Sequence, residues 1–235
     1  MLEVIILAAG HGSRMQSSTA KVLHLLAAQP LVGHVLATAR EVGAERVHVV
    51  VGHDADAVQA VVTASDVQCH LQQQQLGTGH AVQQAIHNCD LESTVLVLFG
   101  DVPLIHRDSL DEVIRAASSG MAMLSSHVPD PAGYGRVLRD ANGAFQGVVE
   151  ERDATADQRR LSEINTGVLA APAAVFCQYL ERLTNDNAQG EYYLPEVLKL
   201  AREDGATVTV VQSDRALDCL GVNTPQQLEQ LERLH

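Results

Sequence analysis

A short glycine loop follows an apolar run near the start of the chain. The run Val4–Ala9 leads into Gly10 and Gly12, then Arg14, and Lys21 follows seven residues later. The spacing lacks the third glycine of a dinucleotide-binding loop and the Gly-Lys-Ser/Thr of a P-loop. Glycines still let backbone N–H groups approach phosphate oxygens, and the two cations would add formal charge. The pattern indicates a phosphate site, but a plain strand-to-helix turn with two solvated cations explains it equally well.

Negative charge is missing from the segment around this loop. Residues 4–40 contain no Asp or Glu, although the chain has 29 acidic residues and a formal net charge of −13. The Lys and Arg residues there are Arg14, Lys21 and Arg40. A locally cationic segment in an acidic protein favours a site for an anion.

A second glycine motif lies in the glutamine-rich stretch Gln72–Val82. Gly77 and Thr78 precede a helical pattern, and backbone amides at a helix start suit a phosphate or a base edge. The amide of Gln72 offers both a donor and an acceptor to a pyrimidine. Composition alone favours the alternative, a solvent-exposed loop capped by Thr78.

An acidic residue, Asp101, ends the apolar run Thr94–Phe99 after Gly100. Ligands of open α/β sheets bind at the carboxyl ends of strands. One carboxylate there, together with substrate phosphates, is typical of Mg²⁺ coordination. A helix N-cap or a turn before Pro103 is the equally weighted alternative.

The elements that must position these residues alternate between strand and helix. Continuous apolar runs predict buried parallel strands, and apolar residues at helical spacing predict the connecting helices. The predicted strands are Val4–Ala9, Val47–Val51, Val67–Leu71 and Thr94–Phe99, and the predicted helices are Leu31–Val42 and His80–Cys89. This alternation predicts an α/β fold with a doubly wound, mostly parallel sheet.

The pattern becomes mixed after about residue 120. Asn142-Gly143 predicts a hairpin between two short strands. A strand over 164–172, helices over 173–183 and 194–203, and a strand over 206–212 follow. Thr224 and Pro225 predict the start of a last helix, with Leu228 and Leu231 on one face. We expect a single domain over 1–235, with a nucleotide-binding half (1–105) and a sugar-binding half (106–235).

Composition excludes several classes of protein. Strong acidity, an aromatic content of 3% and the lack of Trp argue against nucleic-acid and anionic-membrane partners. The four cysteines, Cys69, Cys89, Cys177 and Cys219, form no CxxC pair, which indicates a reduced cytoplasmic protein without a zinc ribbon. No Lys or Arg precedes the first apolar run, so a signal peptide is not expected.

Eight segments in order resemble one family: LAAGHGSRM…KVLH, QQLGTGHAV, FGDVPLI, YGRV, VVEERDAT, EINTGV, NAQGEYYL and GVNTPQQL. The chain is similar throughout to the uridylyltransferase domain of bacterial bifunctional N-acetylglucosamine-1-phosphate uridyltransferase/glucosamine-1-phosphate acetyltransferases. The resemblance implies a Rossmann-like, GT-A-like nucleotidyltransferase fold. It also implies that UMP is transferred from UTP to N-acetylglucosamine 1-phosphate with Mg²⁺.

The resemblance also implies a role for each matched residue. Arg14 and Lys21 would act in catalysis, and Asp101 and Asn223 would coordinate Mg²⁺. The residues that would bind the nucleotide and its uracil are Leu7, Ala8, Ala9, Gly10, Gln72, Gly77 and Thr78. Those that would bind the N-acetylglucosamine end are Gly135, Glu150, Asn165, Glu191 and Tyr193.

The chain departs from the family pattern at several positions, one of which is the segment Leu26-Ala27-Ala28-Gln29-Pro30, where the family has LAGxP. Ala20 replaces a proline, Phe99 replaces a tyrosine, and Pro195 stands where a threonine is common. The Pro195 difference keeps open a related enzyme with another sugar or base, and a non-catalytic sugar-nucleotide-binding module is the third alternative. The chain ends where the family's β-helix acetyltransferase domain would begin, so without that domain we expect a monomer.

Overall fold

The computed structural model describes residues 1–234, without the side chains of Ser13, Ala216 and Cys219. The described strands are β1 (Leu2–Ala8), β2 (Leu25–Leu26), β3 (Gln29–Pro30), β4 (Arg46–Val51), β5 (Val67–Leu71), β6 (Thr94–Phe99), β7 (Met121–His127), β8 (Arg136–Arg139), β9 (Phe145–Val149), β10 (Glu163–Pro172) and β11 (Val208–Ser213). The helices are α1 (Leu31–Glu41), α2 (Ala55–Val62), α3 (Thr78–Ile86), α4 (Arg107–Ala116), α5 (Ala173–Leu180), α6 (Glu196–Glu203) and α7 (Pro225–Leu234).

The described strands, apart from the ribbon β2–β3, join in one nine-stranded sheet with the order β11-β7-β10-β6-β1-β4-β5 and the hairpin β8–β9 attached to β10. Parallel pairing joins β6, β1, β4 and β5, and also β7 and β11, whereas β10 runs antiparallel to both its main neighbours. The prediction of a mostly parallel sheet with a mixed second half is confirmed. Strands from before and after residue 105 pair within it.

The apolar run of β1 is buried on both faces of the sheet. Val4, Ile6 and Ala8 pack with α1, α2 and α4, while Ile5 and Leu7 pack with α3, α5 and α6. A strand covered by helices on both sides has no solvent face, which explains why its sequence does not alternate. The four predicted parallel strands are confirmed, and two of them match to the residue.

Several helix ends differ from their predicted positions by one to three residues. The third helix begins at Thr78 instead of His80, directly after Gly77 at φ 110°. It ends at Ile86, and the Cys89 N–H closes a following turn on Ile86 O at 3.1 Å. Apolar spacing continues through such a turn, so the sequence pattern runs past the end of the helix.

The predicted hairpin joins β8 to β9. The N–H groups of Asn142 and Ala144 donate to Asp140 Oδ1 at 2.8 and 2.9 Å, and Gly143 adopts φ 82°. Left-handed backbone at the turn explains the glycine.

The C-terminal helix α7 begins with a capping box. Gln227 N–H donates to Thr224 Oγ1 at 3.2 Å, and Gln227 Oε1 accepts from Thr224 N–H at 3.1 Å. Leu231 is buried with Met15 beside the glycine loop. The end of the chain therefore packs against its beginning.

No helix within residues 1–234 combines the length and the apolar character needed to span a bilayer. Cys69, Cys89 and Cys177 carry free thiols, and the side chain of Cys219 lies outside the described part.

Candidate active site

A cavity of about 320 Å³ opens at the carboxyl end of β6, beside β10. Its lining comes from both halves of the chain. Among the residues predicted for the site, it includes Arg14, Lys21, Thr78, Asp101, Gly135, Glu150, Asn165, Glu191, Tyr193 and Asn223. The others, Leu7, Ala8, Ala9, Gly10, Gln72 and Gly77, lie outside this lining.

A cluster of ions and amides forms one end of the cavity. Lys21 Nζ forms an ion pair with Asp101 Oδ2 and donates to Asn223 Oδ1 at 3.0 Å. Arg14 Nη2 donates to the same Asn223 oxygen at 3.1 Å. Residues up to 209 positions apart in the chain thus meet at one point. The alternative of two solvated cations is wrong for Lys21, whose side chain is 15% exposed.

Asp101 is not a helix cap. The next helix, α4, begins at Arg107 with His106 as its N-cap, and Asp101 lies in the turn after β6. Its backbone oxygen accepts from Val222 N–H at 2.8 Å. Asn223 N–H in turn donates to Gln227 Oε1 at 2.8 Å. These bonds hold the Asn223 amide beside the Asp101 carboxylate.

These two side chains fit a hard divalent cation. Asp101 Oδ2 and Asn223 Oδ1 contact a single ammonium, so both oxygens face one point. Carboxylate and amide oxygens are suitable ligands for Mg²⁺, which also takes substrate phosphates.

The glycine loop approaches this cluster through Lys21. Gly12 adopts φ 59°, and a Cβ atom there would lie 2.6 Å from Lys21 Cβ. Gly10 is exposed with open space around it. Leu7, Ala8 and Ala9 are buried. Two of their backbone oxygens already have partners: Leu7 O accepts from Gly100 N–H at 2.9 Å, and Ala9 O accepts from His53 N–H at 3.2 Å.

The glutamine-rich stretch is only partly a solvent loop. Gln72 is 3% exposed, and its amide nitrogen lies 3.1 Å from Gly77 O and 3.0 Å from His80 Nδ1. Burial lowers the pKa of His80 and favours the neutral ring that can accept this bond. Thr78 does not cap α3, because its Oγ1 accepts from Leu194 N–H at 3.0 Å instead. The capped-loop alternative is therefore wrong for Gln72 and Thr78.

Backbone contacts tie this stretch to the second half of the chain. Tyr192 N–H donates to Leu76 O at 2.8 Å, and Gly79 N–H donates to Tyr192 O at 2.7 Å. A Cβ at Gly77 would lie 2.7 Å from Tyr192 O. Glycine is required for this close approach, which brings Tyr193 to the cavity.

The other end of the cavity is acidic. Glu150 follows β9 and lies against Gly135, where a Cβ would be 3.0 Å from Glu150 Oε1. Burial, followed by the nearby carboxylates of Asp153 and Glu191, raises the pKa of Glu150 to about 7. A group with such a perturbed pKa in a cleft is a candidate for ligand contact.

Two further side chains are oriented by hydrogen bonds. Asn165 Oδ1 accepts from Gly167 N–H at 3.0 Å, which leaves the Asn165 amide N–H groups for other partners. Tyr193 OH donates to Asp153 Oδ2 at 3.1 Å and accepts from Gln189 Nε2 at 2.9 Å.

Residues 4–164 match the family model of the MobA-like NTP transferase domain. The chain belongs to this family. The prediction of a nucleotidyltransferase is thus confirmed at family level.

Members of the family include proteins whose N-terminal half aligns with the whole chain. "Bifunctional protein GlmU" of Paraburkholderia phymatum is 50% identical over 235 residues, which are 100% of this chain and 52% of that protein. The GlmU protein of Cellvibrio japonicus is 47% identical, and the alignment covers 100% of this chain and 52% of that protein. The GlmU protein of Pseudomonas paraeruginosa is 48% identical, and the alignment covers 99% of this chain and 51% of that protein. The chain therefore spans about half the length of these relatives.

The fold has a close match among solved structures. A Bacillus anthracis structure assigned as a glucose-1-phosphate thymidylyltransferase, in complex with sucrose, superposes with a TM-score of 0.79. It is 18% identical, and the alignment covers 100% of this chain and 95% of the other. This likeness confirms the nucleotidyltransferase-like fold.

Ala20, Phe99 and Pro195, which depart from the resembled pattern, are buried or line the cavity. Ala20 is buried at φ −53°, a backbone geometry that proline also adopts. Phe99 lies under Gly167, where a Cβ would be 2.5 Å from its ring. Pro195 lines the cavity and precedes α6.

Sequence reasoning missed Phe99, Asp153, Gly167 and Gln189 as parts of the site. Asp153 and Gln189 stand within the segments VVEERDAT and NAQGEYYL, next to residues that were predicted. Proximity to those residues was the available signal, because nothing in the sequence alone shows that both side chains contact the Tyr193 hydroxyl.

A second polar cluster lies at the opposite end of β1. Buried Glu3 contacts His48 Nε2 at 2.8 Å, and His48 Nδ1 lies 2.9 Å from His70 Nε2. Glu3, His48 and Cys89 could supply three metal ligands, one fewer than a closed tetrahedral zinc site. Glu3 and His48 already bond each other, so we assign the cluster to stability.

Proposed function

We propose that the chain transfers UMP from UTP to N-acetylglucosamine 1-phosphate, with Mg²⁺ as cofactor, giving UDP-N-acetylglucosamine and pyrophosphate. The observation that carries this proposal is the convergence of Arg14, Lys21, Asp101 and Asn223 at one end of a cavity. Glu150 and Asn165 line the same cavity.

Such a reaction makes limited demands on side-chain chemistry. The attacking oxygen belongs to a sugar phosphate, which is already an anion, so no general base is needed. Catalysis then depends on in-line positioning and on neutralising charge. Arg14 and Lys21 would bind the triphosphate and stabilise the charge that builds up on the leaving pyrophosphate. Mg²⁺ held by Asp101 and Asn223 would supply Lewis-acid stabilisation of the phosphate oxygens.

The sugar would bind at the acidic end. Ionised Glu150 can accept hydrogen bonds from sugar hydroxyls, and charged acceptors form the stronger bonds. The Asn165 amide N–H groups remain available as donors. We place the N-acetylglucosamine here, with Gly135, Glu191 and Tyr193 around it.

Uracil would bind near Gln72 and the backbone of Gly77 and Thr78. Both N–H groups of the Gln72 amide already have acceptors, Gly77 O and His80 Nδ1. A paired contact with uracil therefore requires one of these bonds to open. We expect nucleotide binding to reorganise this buried amide.

One observation favours a second candidate, a transferase for another sugar phosphate. Pro195 has no hydroxyl and no backbone N–H to offer to a ligand, yet it lines the cavity. A different sugar phosphate, such as glucose 1-phosphate, would fit that part of the cavity as well.

A pyrophosphate-release assay over a panel of sugar phosphates and nucleotides separates these candidates. The proposal expects the highest kcat/KM with UTP and N-acetylglucosamine 1-phosphate. Preference for another pair would support the second candidate. Tight UDP-N-acetylglucosamine binding with no turnover on any pair would identify a non-catalytic module.

The role of Arg14 has its own test. By analogy with other charge-stabilising groups, Arg14→Ala should lower kcat at saturating UTP by a factor on the order of 10²–10³. Arg107→Ala is the matched control, since Arg107 is exposed on α4 and pairs with Asp111. A kcat within a few-fold of the wild type would contradict the role of Arg14.

A further inference from the structure

Lys21 stands between the two oxygens that would hold the metal. Its ammonium contacts Asp101 Oδ2 and Asn223 Oδ1, and Arg14 contacts that same Asn223 oxygen. An ion bridging these oxygens at about 2.0–2.1 Å would overlap with the ammonium. Lys21 and the metal therefore compete for one place.

The charges at this point oppose a metal that arrives alone. Arg14 and Lys21 carry two positive charges against the single negative charge of Asp101. The Lys21 and Asp101 side chains are only 15% and 13% exposed, so solvent screens them weakly. A divalent cation would have to break the ion pair and meet two cations at close range. A triphosphate supplies the negative charge that this arrangement lacks.

The glycine loop packs against the base of the Lys21 side chain. Gly12 touches the base of the Lys21 side chain, so closely that a Cβ atom at position 12 would lie 2.6 Å from Lys21 Cβ. Met15 N–H donates to Gly12 O at 2.8 Å and closes the loop beside it. A triphosphate bound at this loop would lie next to Lys21 and could draw its ammonium away from Asp101.

From this geometry we infer that Lys21 is a placeholder for the metal. It keeps Asp101 and Asn223 closed to a divalent cation until triphosphate oxygens attract the ammonium. The metal site then forms only with nucleotide present. This inference rests on the proposed function, and it adds an order of events and a second role for Lys21 as a positioning residue.

Metal binding without nucleotide tests the inference directly. Free Mn²⁺ is measured by electron paramagnetic resonance in titrations of the wild type, Lys21→Met and Lys199→Met. Lys199 is the chain's other lysine and lies on α6 in an exposed pair with Glu196. Both variants lose one positive charge, so the comparison cancels the general effect of net charge.

We expect Lys21→Met to bind one Mn²⁺ at least about tenfold more tightly than the wild type, because a competing cation has gone. Lys199→Met should bind like the wild type. The double variant Lys21→Met/Asp101→Asn should lose the gain. Equal affinity in the wild type and Lys21→Met would overturn the inference, as would a gain that survives Asp101→Asn.

A second measurement uses the wild type and so does not depend on the folding of a variant. With two lysines, the chain gives two side-chain signals after ¹³Cε-lysine labelling, which Lys199→Met assigns. Mg²⁺ alone should leave the Lys21 signal in place, whereas a non-hydrolysable UTP analogue without metal should shift it. The reverse pattern would refute the placeholder.

The inference and the proposed function fail differently. Normal pyrophosphate release by the wild type, together with equal Mn²⁺ affinity in the wild type and Lys21→Met, would remove only the placeholder. A tenfold gain in Mn²⁺ affinity, with turnover on another nucleoside triphosphate but none on UTP, would remove only the proposed function.

Discussion

The half-buried Glu150 carboxyl should make the protein less stable where it is ionised. Its pKa rises from 4.5 to about 7 on folding, mainly through burial. The folded state therefore holds an extra proton between these pH values, and stability falls as pH rises from 4.5 through 7. The full shift corresponds to about 3 kcal/mol. Glu150→Gln removes this pH-dependent contribution to the free energy of unfolding.

We expect Glu150→Gln to gain up to about 3 kcal/mol at pH 8 and almost nothing at pH 4.5. For a chain of this length that gain corresponds to a rise in Tm of roughly 6–12 °C. Circular dichroism melts at pH 4.5, 6, 7 and 8 measure it. The same variant should bind N-acetylglucosamine 1-phosphate at least about tenfold more weakly at pH 8, because a charged acceptor is lost.

The neighbouring residue provides the control. Glu151 bonds Arg136 at 2.7 Å, and the Arg136 side chain is 1% exposed. Glu151→Gln should lower the Tm, since it removes the carboxylate partner of a buried charge. A Glu150→Gln difference in Tm that does not change between pH 4.5 and 8 would refute the electrostatic argument, and a lower Tm at every pH would reverse its sign.

Three more changes have defined outcomes. Burial, followed by the charge of His48, lowers the pKa of His70 to about 4. The free energy of unfolding should therefore fall as pH drops from 6.5 towards 4, by at most about 3 kcal/mol. Urea midpoints of His70→Gln should depend less on pH than those of the wild type. Gly167→Ala should cost about 1–2 kcal/mol for its φ of 88° and push the Phe99 ring into the cavity, which appears as lower Tm with higher KM for the sugar phosphate. Chelation of divalent ions should abolish pyrophosphate release reversibly while leaving Tm within about 2 °C; a persistent rate would contradict the metal's role.

The sequence was sufficient for elements whose signal is local. The buried strand Thr94–Phe99 and the turn at Gly143 depend on residues close in the chain, and both were predicted. The end of α3 was not, because apolar spacing continues into the turn that buries Cys89. Burial of Gln72 was also missed: its partners Gly77 O and His80 Nδ1 satisfy an amide that composition alone assigns to solvent.

The site itself required distant parts of the chain to meet. Pattern alone placed Asp101 at a strand end, but Asn223 came only from family resemblance, since 202 residues separate it from Lys21. No period or spacing encodes such a contact. Likewise, the raised pKa of Glu150 depends first on burial and then on Asp153 and Glu191, and the fold determines both.

The C-terminal helix explains how an N-terminal loop acquires that asparagine. Leu231 of α7 packs with Met15, Leu26 and Leu31 around the loop, in a cluster that also holds Val222. Burying such side chains contributes roughly 1.5–3 kcal/mol each relative to exposure, so the helix is firmly seated. Its capping box lies directly after Asn223, which is thereby fixed between a packed helix and the turn at Asp101. The geometry of the cation site therefore depends on the apolar face of α7 as much as on the four polar residues that compose it.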